Sequence, residues 1–348
     1  MVTIKDVARL ANVSTATVSY ALNNPSKISK ETRERVLKVV KETNYEVNRI
    51  AKSLKIKETN TIGIITEDIT VFSTPEIIDG IDAYAEENDY HIILENVRLY
   101  KKIGNNYQDT SKVAGIISEL VGILLSRQVE GIIYVGAHCR DVSGIIGRLP
   151  IPIVYVYCYT NEESSFSVNY DDELAAYELT NYLLNMGHKE LGMITGLTDS
   201  MQSQMRLEGC KRAFSEHKVA FNSKYIRAGN WEREGGYQAA KELLSLSQAP
   251  TAIFAFNDLM AGGVIDAANE MGLNIPGDIS LTGFDNRECS YSYTPQLTTM
   301  SLPLSEMGRR SAELLLGLIK KEEEIKDKNQ NLKLKCDLVE RESTLSLA

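Results

Sequence analysis

The 348-residue chain predicts a small all-α helix-turn-helix head followed by an α/β body of two lobes with parallel sheets, on three observations. Charge is divided: residues 1–60 hold 12 Lys and Arg against 6 Asp and Glu, and the remainder holds 26 against 41. Early in the chain the apolar positions recur at helical spacing. From Thr61 onward short β-rich apolar runs alternate with helical stretches, the pattern of parallel strands joined by covering helices. The length suits two or three domains that bury their cores without metal or disulfide staples. The net charge of −9 alone argues against a nucleic-acid partner. A basic head on an acidic body is instead the footprint of a DNA-binding module joined to something that does not bind DNA.

The head is expected at residues 1–47. Thr3-Ile4-Lys5-Asp6 has capping-box form, a hydroxyl followed three residues later by a carboxylate, and Val7, Ala8 and Ala11 share one face of the helix that follows. After Asn12-Val13, Ser14 caps a second helix. In it Val18 and Leu22 point inward, leaving Thr15, Ala16, Ser19, Tyr20 and Asn23 outside. Ser29 starts a third, whose Val36, Val39, Val40 and Thr43 cover the first two. Residues 48–60 follow as a hinge and linker: Asn48 to Leu54 makes barely two helical turns, a length unstable alone in water and in need of a partner.

The body is expected at residues 61–348. Its strands are read at 62–65, 90–94, 131–135 and 151–156, then at 191–194, 225–226, 252–255 and 279–281, continuous runs of the kind buried on both faces. Ligands of such sheets bind outside the carboxyl ends of the strands, so two facing lobes trap one between them. The segment Asn96 to Gln128, with Lys101-Lys102 and Gly104-Asn105-Asn106, reads as an exposed loop or extra helix. Cys139, Cys158, Cys210, Cys289 and Cys336 are scattered, odd in number and without a Cys-x-x-Cys pair, and read as reduced fillers.

Thr3 to Ala8, followed by Ala11-Asn12-Val13-Ser14 and Thr17-Val18-Ser19, closely resembles the head of the lactose repressor/galactose repressor (LacI/GalR) family. The resemblance continues through Leu183 to Lys189, Asn257 to Ala261, Ile275 to Ser280 and Gly283-Phe284-Asp285, which look like that family's periplasmic-binding-protein-like core. For the head it implies that Thr15, Ala16 and Tyr20 read base edges in the major groove. Thr3, Ser14, Asn23 and Tyr45 would position the DNA backbone, with Thr17 in the same contact set. It also implies a hinge helix that orders on operator DNA against its copy in a homodimer. Leu54 would enter the minor groove as a wedge, with Lys55 as its charged anchor. Lys52 stands where the family usually has Arg, and Glu46-Val47 where a proline is common. For the body the resemblance implies an N-lobe of about 61–164 plus 295–325 and a C-lobe of about 165–294 plus 326–348. The implied effector pocket holds Ser73, Thr74, Arg206, Trp231, Asn257 and Asp285. A guanidinium and a carboxylate each hold vicinal hydroxyls, and an aromatic face covers the apolar side of a sugar ring. Residue chemistry by itself equally allows Trp231 as a core residue, Arg206 as a surface ion pair and Asp285 as a turn former.

The expected function is a sequence-specific, DNA-binding transcription regulator, a repressor controlled by a sugar or sugar derivative, with a purine or nucleoside effector as the alternative. Its partners would be a pseudo-palindromic operator, the effector and a second copy of the chain. A transport-type sugar-binding protein would share the body but has no use for a basic helical head. An enzyme finds thin support. Asp171-Asp172, or Asp258 with Asp285, are conceivable acid–base pairs, but Asp171 and Asp172 read better as helix caps. There is no Gly-rich phosphate loop and no nucleophile elbow, and His91, His138, His188 and His217 lack metal-ligand spacing. No catalytic residue, cofactor or metal ligand is assigned. The N-terminus lacks a charged stretch leading into an apolar run, no apolar segment approaches a membrane span, and the expected location is the cytoplasm.

Overall fold

The computed structural model describes residues 2–43, 45, 59–104, 110–163, 165–323 and 331–347. The chain divides into two compact units, residues 1–59 and 60–348. The expected hinge, including Lys52, Leu54 and Lys55, and the Glu46-Val47 pair before it lie outside the described residues.

The first unit contains α1 (Ile4–Leu10), α2 (Thr15–Asn23), a 3-10 turn (Pro25–Lys27) and α3 (Lys30–Glu42). Its helices start where side-chain oxygens can accept the orphaned first-turn amides. Thr3 Oγ1 accepts from the Asp6 amide at 3.4 Å while the Asp6 carboxylate accepts from the Thr3 amide at 3.0 Å, which completes a capping box. Ser14 Oγ accepts from the Thr17 amide at 3.1 Å, and Ser29 Oγ from the Thr32 amide at 3.3 Å. Val7, Ala8, Ala11, Val18, Ala21 and Val36 are buried where the helices meet. Tyr45 packs half-buried against this cluster, and its amide donates to the Val40 carbonyl at 3.1 Å.

In the second unit, β1 (Thr61–Thr66), α4 (Thr74–Glu87), β2 (His91–Asn96), α5 (Leu99–Ile103), α6 (Thr110–Ser126), β3 (Ile132–Val135), β4 (Ile153–Val156) and β5 (Phe166–Tyr170) begin the first lobe. Then come α7 (Asp172–Asn185), β6 (Leu191–Thr195), α8 (Met201–Glu216), β7 (Ile226–Ala228), α9 (Arg233–Leu244), β8 (Ala252–Ala255), α10 (Asp258–Glu270) and β9 (Ser280–Thr282) of the second. The chain closes with α11 (Glu288–Ser292), β10 (Thr299–Ser301), α12 (Leu304–Lys320), β11 (Asn331–Leu334) and β12 (Asp337–Val339). One parallel sheet runs β11-β5-β4-β3-β1-β2 and the other β7-β6-β8-β9; β10 and β12 form an antiparallel ribbon. The apolar runs of β3, β6 and β8 are buried throughout, as helices on both faces require.

Three expectations are corrected. The first lobe does not end at residue 164, because β5 pairs with β4 in the first sheet. Nor does 326–348 belong wholly to the second lobe, because β11 pairs with β5 and only the chain after it reaches the second sheet, where the Leu281 amide donates to the Ser343 carbonyl at 2.8 Å. Both strands alternate apolar and polar residues, Phe-Ser-Val-Asn-Tyr and Asn-Leu-Lys-Leu, and so lack the continuous run that marks the others. The third concerns residues 96–128, where the helix of the two alternatives is present, Asn105-Asn106 lies outside the described residues, and the helix is no addition to the sheet. Val113, Ile117, Val121 and Leu124 of α6 are buried with Ile65, Ile132 and Tyr134, so this helix covers a face of the first sheet as the crossover between β2 and β3.

Helix α12 returns to the first lobe and packs on α4 at a close crossing. A Cβ at Gly80 would run into the Ser305 carbonyl, and one at Gly308 into the carbonyl of Ile77. Only glycine lets the two backbones approach this far.

Candidate functional site

In the first unit the exposed side of α2 presents Thr15, Ala16 and Tyr20, with Thr17 and Ser19 half-buried at its margin and Asn23 as its last residue. Val18 turns inward as expected, while among the described residues of α2 Ala21 is the other fully buried one and the expected Leu22 packs only partly buried against the cluster. Lys27 Nζ lies 5.4 Å from the Tyr20 ring centroid, which adds a cation beside the phenol. Thr3 and Ser14 sit at the amino ends of α1 and α2, where unpaired first-turn N–H groups favour an anion such as a phosphate. Their hydroxyls are already engaged in capping: Thr3 Oγ1 also donates to the Asp6 carboxylate at 2.6 Å, and Ser14 Oγ lies 2.9 Å from Thr17 Oγ1.

In the second unit, side chains collect at the carboxyl ends of the strands. Arg206, on α8, is 2% exposed although it carries a charge. Its Nε donates to Asp172 Oδ1 at 2.7 Å, its Nη2 to the Tyr170 hydroxyl at 3.0 Å, and its Nη1 to the Phe256 carbonyl. The guanidinium carbon lies 3.6 Å from the Phe284 ring centroid and 5.6 Å from that of Trp231. Arg206 therefore ties β5 of one lobe to loops after β8 and β9 of the other. Burial works against its charge, but Asp172, Tyr170 and Asp285 outweigh that and hold it protonated. Burial raises Asp172 while Arg206 pulls it back.

Trp231 is half-buried with φ of 69°, and its indole lies directly over Gly196, where a Cβ would overlap the ring. Asn257 is buried with both ends of its amide engaged: Nδ2 donates to the Trp231 carbonyl at 2.8 Å, and Oδ1 accepts from the Met260 amide at 2.8 Å as the cap of α10. Its geometry is that of a residue that positions Trp231. Thr74 donates to the Asp68 carbonyl at 3.0 Å. Ser73, next to it, is buried with a hydroxyl that has no hydrogen-bond partner, a state that native interiors usually avoid. Phe72 carries the Arg287 guanidinium 4.5 Å from its ring centroid, which links this loop to the one holding Asp285.

Asp285 is half-buried with φ of 108°. Burial pushes its carboxyl up to about 8; Arg206 opposes this and the charge of Asp258 adds to it. Asp258 is fully buried and accepts from Thr299 Oγ1 at 2.6 Å and the Arg287 amide at 2.7 Å. Burial exceeds the effect of those bonds and raises it to about 7.

The structure thus brings together Arg206, Trp231, Asn257 and Asp285, with Ser73 and Thr74 approaching through Phe72 and Arg287. Sequence reasoning missed Tyr170, Asp172 and Phe284 as partners of Arg206. One signal was available: Asp171 accepts from the Leu174 amide at 3.1 Å as the cap of α7, so the second of two adjacent acids was left for another task. No group of three or more His, Cys, Asp or Glu suited to a metal occurs among the described residues. None of the described helices is long and apolar enough to cross a membrane.

Residues 3–48 match the model for bacterial regulatory proteins of the lacI family, and residues 180–344 match that for a periplasmic binding protein-like domain. The chain is 33% identical over 353 residues to the ribose operon repressor of Haemophilus influenzae, covering all of both chains. It is 34% identical over 328 residues to the HTH-type transcriptional repressor PurR of Vibrio vulnificus, covering 93% of each. Among solved structures it is similar to the Lac repressor dimer bound to operator and the anti-inducer ONPF, with a TM-score of 0.79, 26% identity and 99% of each chain covered.

Proposed function

Because the chain belongs to the lacI family of bacterial regulatory proteins, and is a DNA-binding transcription regulator with a small-molecule-responsive body, we propose that it represses transcription from a pseudo-palindromic operator under control of a neutral sugar. It does so as a homodimer in the cytoplasm and catalyses nothing. In this reading Thr15, Ala16 and Tyr20 meet base edges, and Thr3, Ser14, Thr17, Asn23 and Tyr45 meet the DNA backbone. Leu54 and Lys55 act at the minor groove.

One observation carries the sugar: the cation of Arg206 is already neutralised by Asp172, while Trp231 and Asp285, both half-buried, remain to meet a ligand. A site with an indole face, a carboxyl group and a neutralised guanidinium suits the hydroxyls of a sugar ring, and Arg287 beside it on Phe72 can add a further donor. Asn257 and Thr74 shape the pocket from behind. A nucleobase or nucleoside is the second reading, favoured by the same indole face.

The test is a thermal-shift screen of the full chain with sugars, sugar phosphates and nucleobases, because a ligand of the native state raises stability by mass action. The expected outcome is a neutral sugar that raises the melting temperature, changes the emission of Trp231, the sole tryptophan, and loses its effect in Arg206→Ala and Asp285→Ala. A hit that leaves Trp231 emission unchanged and survives both substitutions would move the pocket elsewhere.

A further inference from the structure

A cavity of about 470 Å³ opens beside the amino ends of β6 and β7, the end of that sheet opposite Trp231 and Asp285. Its volume lies within the range of small-molecule sites. Phe214 and Phe221 meet edge to face in its wall, ring centroids 5.4 Å apart. Tyr225, also in the wall, is 5% exposed, and its hydroxyl is buried without a hydrogen-bond partner.

Lys189, Lys218, Lys224 and His217 line the cavity against one carboxylate residue, Glu190. This is unusual in a body with a large acidic excess. Lys211, Lys241 and Lys335 of the same unit are bound to Glu208, Glu270 and Glu178 at 2.7 to 2.8 Å. Lys189 and Lys218 pair with no carboxylate among the described residues. Lys224 Nζ meets the Gln248 side chain at 3.1 Å and lies 4.6 Å from the Tyr225 ring centroid, again without a countercharge. Three uncompensated ammonium groups around one concavity raise the local potential for an anion, and polar side chains such as Asn222 and Gln248 complete the lining.

We propose that this cavity is a second ligand site, which takes a small phosphate-bearing compound such as a nucleotide. The phosphate is held by Lys189, Lys218 and Lys224, and the rest of the ligand lies along the polar lining and the half-buried edge of Phe221. The site does not depend on the reading of the cleft.

Calorimetric titration of the full chain with AMP, adenosine and pyrophosphate tests it. AMP is expected to bind at least roughly tenfold more tightly than adenosine, since charge-assisted bonds to phosphate are the stronger kind. The exposed pair Lys218→Gln/Lys224→Gln should weaken AMP by a similar factor and leave the melting temperature unchanged. The assignment is overturned if neither AMP nor pyrophosphate binds at millimolar concentration. Equal binding of adenosine, or AMP binding that survives the double substitution, overturns it as well.

Discussion

Asp258 and Asp285 hold protons that an unfolded chain would release, because burial disfavours both charges. The sign follows from their folded values of about 7 and about 8 against an ordinary 3.8. Their contribution to stability is complete below about pH 4 and is lost as pH rises through 7 and 8. The melting temperature is therefore expected to fall between pH 6 and 9, a loss on the order of 1 to 3 kcal/mol, and Asp285→Asn should flatten the curve. His138, lowered to about 4 by burial and by Arg140, acts in the opposite sense at acid pH, and the buried thiols of Cys139 and Cys210, raised to about 12, add to the loss toward pH 9, so the comparison with Asp285→Asn identifies the carboxyl. Parallel curves for the two proteins in a thermal melt series would refute the assignment. A second expectation rests on the proposed pocket. Effector hydroxyls donating to Asp285 favour its ionised form, so binding should release protons and tighten from pH 6 to pH 9, as calorimetry in buffers of different ionisation enthalpy will read.

At the scale of elements, caps and close crossings do different work. The Ser14 cap stabilises α2 from within the chain's own neighbourhood, and Ser14→Ala should cost about 1 kcal/mol of head stability in chemical denaturation. Ser14→Asp retains a capping oxygen but adds a negative charge at the helix terminus. It should keep the stability and lose operator affinity, whereas retention of both would remove that terminus from the DNA contact. The crossing of α12 over α4 depends instead on Gly80 and Gly308, far apart in sequence. Gly308→Ala forces the helices apart and is expected to destabilise the body by about 1 to 3 kcal/mol in urea unfolding. An unchanged midpoint would show that the crossing yields more easily than its geometry implies.

The whole molecule joins a basic reader to an acidic sensor, so its affinity for DNA comes from the smaller part. Operator binding should weaken steeply as salt rises, because Lys and Arg of the head displace condensed counterions. It should also require both half-sites, since one head of this size covers too little DNA for tight specific binding. Gel shifts that gave equal affinity for a single half-site would contradict the dimeric reading. Leu54→Ala should reduce specific binding much more than binding to random DNA, because a wedge contributes only where the duplex is kinked. Equal losses on both would make the hinge a passive tether.

What the sequence by itself determined is local. Thr3, Ser14 and Ser29 mark helix starts because a cap acts within three residues, and the buried strands stand out because two covered faces demand an unbroken apolar run. The division of charge likewise separated reader from sensor before any contact was known. The tertiary structure decided what long-range contacts decide. Phe166–Tyr170 and Asn331–Leu334 joined the first sheet because their pairing partners lie elsewhere in the chain. Asn257 became the support of Trp231 because the Trp231 carbonyl is the acceptor within its reach. Arg206 is a buried cation because Tyr170, Asp172 and Phe284, spread over more than a hundred residues, converge on it. Capping and periodicity can be read along a chain, but the neutralising of a buried charge cannot, since it depends on which distant groups the fold brings within hydrogen-bonding distance.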